Sequence, residues 1–289
     1  MAGISRAVAA DILSHLLNTL EYPPQERHRK RYSSLVEGNE AALHRYLFSC
    51  LRPEVLEVFS HQSSLPSWAT LRKLNEQGPP PPDAAGVYLN IIRGTDGHDR
   101  LYVGQTTRLN QRIFRQHMNF RYRRDNRSLH YHAIEYSSWN NFVVLAVPPP
   151  PSGSLPSWLR GSNPQLILNV LEMWCALMFK TLPRNTFEDW LPEKYLDAEH
   201  ADWFPLNLAL PLDQGDHELG ATVDWGEALR NANDPLARGY ASGRAPTSTS
   251  LSVQHEKPAE VESAGLGASS IVLLAFAAGF VAGAFWQKR

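Results

Sequence analysis

Arginines dominate the stretch between residues 108 and 127, where they could bind phosphate. Arg108, Arg112 and Arg115 recur at intervals that align them as one stripe on a helix. The full set is Arg108, Arg112, Arg115, Arg121, Arg123, Arg124 and Arg127, with Phe120 and Tyr122 interleaved and Asp125 as the only acidic residue. A guanidinium group suits bidentate contacts to phosphate. Because the whole chain has a net charge of -1, this clustering favours a phosphate-binding surface over a solvated helix face.

Glu172 lies in the middle of a stretch, 165–181, whose other side chains are largely apolar. An ionised carboxylate at such a place is costly unless it has a partner. It could bind a divalent cation, since Mg²⁺ is commonly held by one or two carboxylates together with substrate phosphates. A helix face exposed to solvent is the alternative interpretation.

Two tyrosines that lie beside glycines, and several histidines, are further candidates for a functional site. Tyr88 ends the tripeptide 86–88 (GVY), and Tyr102 begins the tripeptide 102–104 (YVG). Ordinary hairpin packing explains this tyrosine pair equally well. His117, near the end of the arginine-rich helix, is a better candidate for the site, although a histidine that interacts with the C-terminal end of the helix dipole explains it equally well. The segment 130–132 (HYH) would place two histidines on one face of a strand without an obvious third ligand, so we interpret them as structural or substrate-facing.

The elements that would position these residues follow from periodicity and turn signals. Strands are predicted at 86–93, 101–104, 133–136 and 142–147, with a hairpin turn at Gly94-Thr95-Asp96-Gly97. Helices are predicted at 4–20, at 43–59 with a break near Pro53, from about residue 107 to Phe120, and at 165–181 after the Asn163-Pro164 cap. The basic stretch 27–31 is interpreted as a solvated turn, and 188–212 as a segment that wraps the domain.

Composition sets the broad class and the domain boundaries. The apolar content of 43% is typical of a globular protein. Cys50 and Cys175 both lie in apolar runs, which argues against a disulfide framework and a zinc site. The predicted segments are a helical N-terminal subdomain (1–78), a central domain (83–212), a flexible linker (213–267) and a transmembrane helix (268–286).

The C-terminal segment 268–286 contains no charged residue and is followed by Gln287-Lys288-Arg289. Its length lies within the roughly 17–25 residues that cross a bilayer, and the N-terminus has no signal-peptide pattern. We therefore expect a single-pass, tail-anchored protein whose central domain faces the cytosol. The short span with its basic end resembles anchors of the mitochondrial outer membrane, with the endoplasmic reticulum and the nuclear envelope as competitors.

The candidate residues, taken in order, resemble the GIY-YIG nuclease family. The resemblance covers about residues 85–185 and rests on the two tripeptides followed by Arg112, His117, Glu172 and Asn185. It implies an α/β (α+β) domain with a small three-stranded central sheet flanked by helices. It also implies metal-dependent endonuclease activity, the hydrolysis of phosphodiester bonds in DNA.

Residue roles are carried over from the same resemblance. Tyr88 and Tyr102 would line the site and activate or position water, Arg112 would stabilise charge on the phosphate, and His117 would assist proton transfer. Glu172 would hold a single Mg²⁺ or Mn²⁺ ion. The substrate-binding set would be Gly104, Gln105, Thr106, Arg108, Arg115, Arg121, Arg123, Arg124 and Asn185. The Pro-rich stretch before the Glu172 helix departs from the family pattern.

Alternative functions use the same residues differently. A catalytically inactive module of the same fold would bind nucleic acid or a protein at the membrane. An adaptor acting through the helical N-terminus is a third hypothesis. The sequence indicates no particular protein partner.

Overall fold

The computed structural model describes most of the chain. The described residues are 5–60, 84–149, 159, 163–196, 203–215 and 225–243. They all belong to one compact unit, Met1–Ser252. The predicted anchor at 268–286 lies outside these ranges, and none of the helices within them is both long and apolar enough to cross a membrane.

A four-stranded mixed sheet forms the centre of the unit, in the order β3-β1-β2-β4. The strands are β1 (Gly86–Gly94), β2 (Asp99–Thr106), β3 (Ser137–Ala146) and β4 (Trp203–Pro205). Strand β1 pairs antiparallel with β2 and β3, whereas β4 runs parallel to β2. The fold is α+β, as predicted, but the prediction of three strands missed β4. That strand has three residues, too few to produce an alternating pattern.

Helices surround the sheet. In chain order they are α1 (Arg6–Glu21), α2 (Glu26–Val36), α3 (Glu40–Cys50), α4 (Pro53–Ser60), α5 (Gln111–His117), α6 (Phe120–Asp125), α7 (Leu129–Glu135), α8 (Pro164–Met178), α9 (Arg184–Trp190), α10 (Trp225–Arg230) and α11 (Pro235–Gly243). Single 3₁₀ turns occur at Glu193–Tyr195 and Pro211–Asp213. The predicted helix cap is confirmed, because Asn163 accepts a bond from the backbone N–H of Gln165 (2.9 Å).

Strand β1 contributes side chains to two apolar cores, one on each face of the sheet. Val87, Leu89 and Ile91 belong to the larger core, which includes residues of α1 and α8. Tyr88 and Ile92 belong to the smaller core, which includes residues of α7, α10 and α11. The alternation follows from the two-residue period of a strand, as the sequence pattern predicted.

The predicted hairpin turn is confirmed, and it is held by a buried arginine. Gly97 has φ +82°, a conformation that glycine adopts without strain. The Arg100 side chain is 0% exposed and forms paired bonds to Asp96 (3.0 and 2.7 Å). It forms a second pair to Asp234 (2.8 and 2.6 Å). Asp234 lies between α10 and α11, so this cluster fastens the end of the described chain to the hairpin.

Three local predictions are corrected by the structure. Residues 27–31 lie in α2 rather than in a turn, because Tyr32 and Leu35 give that basic segment a buried side. Residues 133–135 lie at the end of helix α7, and Tyr136 is its C-cap; Ser128 caps the start of the helix by accepting a bond from the Tyr131 N–H (3.2 Å). The predicted linker contains α10 and α11 at 225–243, where burial of Leu229 and Ala237 compensates for the weakly apolar composition.

The arginine-bearing helix is shorter than predicted and is wound differently. Helix α5 is a π-helix that ends at His117 rather than at Phe120. The N–H of Met118 reaches back five residues to the Ile113 carbonyl (2.9 Å). The chain then turns, and Asn119 caps α6 by accepting from the Tyr122 N–H (3.1 Å). Single π-turns of this kind often occur at functional sites.

Candidate active site

Tyr88, His117 and Arg112 form one hydrogen-bonded chain on the smaller-core face of the sheet. The Tyr88 hydroxyl lies 2.6 Å from Nε2 of His117, and Nε of Arg112 donates to the same hydroxyl at 3.4 Å. Because a guanidinium can only donate, the Tyr88 oxygen accepts from Arg112, and its proton is available to His117. This order places the imidazole proton on Nδ1, an atom with no hydrogen-bond partner in the described part of the chain.

His117 is held as a neutral imidazole. Burial lowers its pKa well below the ordinary value, and the nearby His130, Arg112 and Arg123 lower the pKa further. Arg123 also donates to the His117 carbonyl (2.6 Å) and so ties α6 to the end of α5. A neutral ring facing a phenol proton can accept it.

Gly104 allows the two tyrosines to approach each other. Tyr88 pairs with Gly104 across the β1–β2 ladder, and its ring lies over the glycine. A Cβ at position 104 would lie 2.6 Å from Cζ of Tyr88 and 2.8 Å from Cε1 of Tyr102, besides touching the Tyr88 hydroxyl. Gly86 is constrained similarly, since a Cβ there would lie 2.8 Å from Cδ1 of Leu109. The glycines of both tripeptides are therefore packing requirements of the site.

His130 supports Tyr102 from α7. The two rings are stacked, with centroids 4.0 Å apart and planes at 13°. Nε2 of His130 bonds to Oδ1 of Asn90 at 2.9 Å. Burial, with Arg112 and Arg123, lowers the pKa of His130 to about 3, so the ring is neutral and fixed. This agrees with a structural or substrate-facing role, although the residue lies on a helix and not on the predicted strand.

Glu172 is buried on α8 and accepts hydrogen bonds from amide side chains. Its Oε2 accepts a bond from Nε2 of Gln214 at 2.7 Å. The pKa of the Glu172 carboxyl is raised to about 8, chiefly by burial. Hydrogen bonds from Gln105 and Gln214 and the charge of Arg112 act in the opposite direction and lower the pKa. Gln105 in turn bonds to Asn169 (2.6 Å) and Gln214 (3.0 Å). The predicted buried carboxylate is confirmed, but sequence reasoning missed the amides around it, which belong to no recognisable motif.

Helix α2 holds Gln214 in place. Arg31 and Asn169 both donate to the Gln214 backbone carbonyl. The Tyr32 hydroxyl donates to the Leu212 carbonyl (2.7 Å), and His28 contacts Asp213 at 2.7 Å. The N-terminal helices therefore help to build the surroundings of Glu172, a role that sequence reasoning did not find.

Glu172 and the tyrosines belong to opposite faces of strand β2. Tyr102 and Gly104 face the same way, whereas Gln105, which bonds to Glu172, points to the α8 side because successive residues alternate. The two groups still interact electrostatically. The pKa of Tyr102 is raised first by burial, then by Tyr88, and to a smaller extent by the negative charge of Glu172. The charge of Arg112 in turn lowers the pKa of Glu172.

The remaining predicted substrate-binding residues are spread around this centre. Arg108, Arg115, Arg121 and Arg124 are exposed, whereas Arg123 is half-buried against α5. The Thr106 hydroxyl accepts from the Arg108 N–H (3.1 Å) at the entrance to α5. Asn185 is exposed on α9, and the amides that surround Glu172 are instead Gln105, Asn169 and Gln214.

The side-chain types around Glu172 suit a hard divalent cation, but the Gln214 amide presents its N–H to Glu172, so that amide would have to turn its oxygen toward the ion. A carboxylate and amide oxygens are the ligand types that Mg²⁺ prefers, and a buried carboxylate gains from a counter-charge. No group of three or more His, Cys, Asp or Glu side chains within the described ranges could form a metal cage. A cation at Glu172 would therefore depend on amides, water and substrate phosphate for its other ligands.

Comparisons with known proteins give no independent assignment. No family model, curated protein or solved structure matches the chain. The likeness to the GIY-YIG family therefore rests on the residues themselves and stays a prediction.

Proposed function

We propose that this protein is a metal-dependent endonuclease of the GIY-YIG type that hydrolyses phosphodiester bonds in DNA. The observation that carries the proposal is the chain from Arg112 through Tyr88 to His117. It combines a phosphate-binding cation, a polarised hydroxyl and a neutral base in one contact series. Tyr102, stacked on His130, lies on the same face of the sheet as Tyr88.

Each group has a defined task in this proposal. As water attacks the phosphorus, its proton passes to the Tyr88 oxygen and the phenol proton passes to Nε2 of His117. The bond from phosphorus to the leaving oxygen breaks, and that oxygen takes a proton from solvent. Arg112 stabilises the charge that develops on the phosphate. When the phosphate binds, it neutralises part of the Arg112 charge that lowers the pKa of His117, so the base becomes stronger as substrate arrives.

Glu172 would hold the cation, with Gln105 and Gln214 as supporting amides. A bound Mg²⁺ or Mn²⁺ would polarise the phosphate and neutralise the leaving oxygen. The arginines of α5 and α6 would hold the DNA backbone through their charge.

Nicking of supercoiled DNA by the full-length chain in mild detergent tests the proposal. We expect nicking with Mg²⁺ or Mn²⁺ and none with a chelator. Tyr88→Phe should reduce the rate about 10²- to 10⁴-fold, the usual contribution of a proton-transfer group, and Glu172→Gln should abolish the metal response. Glu188→Gln, at an exposed position on α9, is the matched control. Nicking by the Glu172→Gln variant at the wild-type rate would refute the proposal.

A second candidate function is a catalytically inactive module that binds nucleic acid or a protein at a membrane. The hydrogen bonds from Gln105 and Gln214 to Glu172 favour this inactive module, because they satisfy the carboxyl group without a metal ion. This candidate predicts DNA binding that is independent of metal and unchanged in Glu172→Gln. Metal-dependent nicking would exclude it.

We also propose that 268–286 anchors the protein in a membrane with the enzyme domain facing the cytosol, and we favour the mitochondrial outer membrane. The uncharged composition of the segment supports this. Imaging of the full-length chain with an N-terminal fluorescent tag should give a mitochondrial outline. A reticular or nuclear-rim pattern would identify one of the competing membranes, and a diffuse signal would exclude an anchor.

A further inference from the structure

Three large apolar side chains are exposed where α5 turns into α6. Phe114 is 54% exposed, Met118 53% and Phe120 63%. Single exposed apolar residues are normal, but neighbouring ones of this size usually mark a binding surface. Together with Arg115, Arg121 and Arg124 they form what we call the α5–α6 surface.

The packing of α5 fixes these side chains outward. The buried side of the helix region consists of Leu109, Ile113 and His117, so Phe114 and Met118, four residues apart, share the outer side. Arg123 fixes α6 on α5 through the His117 carbonyl. The apolar groups are therefore held in place without any contribution to either core.

The charge around these side chains is almost entirely positive. Arg115, Arg121 and Arg124 are exposed. Asp125 is the only acidic residue between 108 and 127, and it is paired with Arg124 at 3.0 Å. A surface of arginines and aromatic rings complements a strand that offers phosphates and bases together.

We propose that the α5–α6 surface binds unpaired bases of single-stranded DNA beside the candidate active site. This inference rests on the proposed function, whose Arg112 and His117 belong to the same helix α5. Phe114 and Phe120 stack against bases, and the arginines contact the flanking phosphates. A paired duplex hides the faces of its bases, so it would use the arginines alone. The preferred substrate is therefore DNA in which a single-stranded stretch lies next to the cleaved bond.

Equilibrium binding to labelled DNA tests the inference. The assay uses full-length protein in mild detergent, and a chelator is present so that binding is measured without cleavage. The probes are an oligothymidine strand and a fully paired duplex of equal length. The variants are Phe114→Ala, Phe120→Ala and their combination. Tyr22→Ala, which removes a ring that is 79% exposed at the end of α1, is the matched control.

Stacking on one aromatic ring is worth about 1–3 kcal/mol per base, which is about 5- to 150-fold in affinity. Each single variant should lose that factor for the single strand and about twofold or less for the duplex. Phe120→Tyr keeps an aromatic ring and should therefore bind the single strand as the wild type does. Thermal unfolding at the wild-type temperature should show that all variants fold. Wild-type affinity of the combined variant for the single strand would overturn the inference and point to a membrane or protein occupant. If the variants showed this loss of single-strand binding but the wild type did not nick DNA, only the proposed enzyme function would be refuted.

Discussion

Glu172→Gln should make the protein more stable than the wild type at neutral pH. The Glu172 carboxyl has a pKa of about 8 in the folded state, against an ordinary value of 4.5. Between these values the unfolded chain releases the proton while the folded chain keeps it, so the stability of the wild type falls as pH rises. The slope is about 1.4 kcal/mol per pH unit for one proton. From pH 4.5 to pH 7 the wild type therefore loses about 3 kcal/mol through this group.

Glutamine keeps the shape of the side chain and an oxygen that can accept from Gln214, but it cannot ionise. We expect the free energy of unfolding of Glu172→Gln to exceed that of the wild type by an amount that grows with pH and levels off above pH 8. Urea unfolding of both proteins in the same detergent, followed by tryptophan fluorescence at pH 5, 6, 7 and 8, measures the difference. Every other titrating group is common to the two proteins and cancels.

Mg²⁺ should remove most of the advantage of Glu172→Gln at pH 7. A cation that binds the ionised carboxylate stabilises the folded wild type by about 2.7 kcal/mol at a concentration one hundred times its dissociation constant. The Glu172→Gln protein should not respond. If the free energy of unfolding changed equally with pH in the two proteins, the claim that folded Glu172 retains its proton would be refuted. If Mg²⁺ stabilised both proteins equally, the role of Glu172 as the metal ligand would be refuted.

Three further substitutions test separate parts of the structure. Gly104→Ala should destabilise the protein by about 1–3 kcal/mol in urea unfolding, because the Tyr88 ring occupies the space of the new methyl group. Asp234→Ala should cost about 3 kcal/mol in the same assay, since it leaves the buried Arg100 with only one carboxylate partner. Gln214→Leu should raise the Mg²⁺ concentration for half-maximal nicking about tenfold, because the metal-binding carboxylate loses a stabilising donor.

Matched variants control for general effects of these changes. Gly239→Ala, in helix α11 with nothing near the new methyl group, should be neutral or stabilising. Asp125→Ala removes an exposed ion pair and should change stability by less than about 1 kcal/mol. Equal effects at positions 104 and 239, or at 234 and 125, would contradict the packing and ion-pair arguments. An unchanged Mg²⁺ requirement in Gln214→Leu would show that the amide does not support the carboxylate.

Local chemistry predicted several elements correctly. The hairpin turn, the cap at Asn163 and the alternation of β1 each depend on residues close together in the chain, so the sequence contains the whole cause. Glu172 was recognised as buried because apolar neighbours surround it along the helix itself.

Other elements depended on contacts that are distant in sequence. Segment 133–136 has strand composition, but the Ser128 cap and the packing of α7 on the sheet make it helical. Residues 225–243 have a composition typical of a linker, yet they fold because Asp234 pairs with Arg100, which lies 134 positions earlier. Such pairs leave no trace in a local window.

The sequence by itself determined which groups are available: two tyrosines beside glycines, an arginine-rich helix, a histidine at its end and one carboxylate in an apolar helix. The tertiary structure decided which of them meet. Strand pairing brings Tyr88 over Gly104, and the π-turn brings His117 to the Tyr88 hydroxyl. Burial on α8 raises the pKa of Glu172, and the amides of Gln105 and Gln214, positioned by β2 and α2, partly oppose this. Hydrogen bonds and burial act over a few ångströms, so only folding could fix these relations.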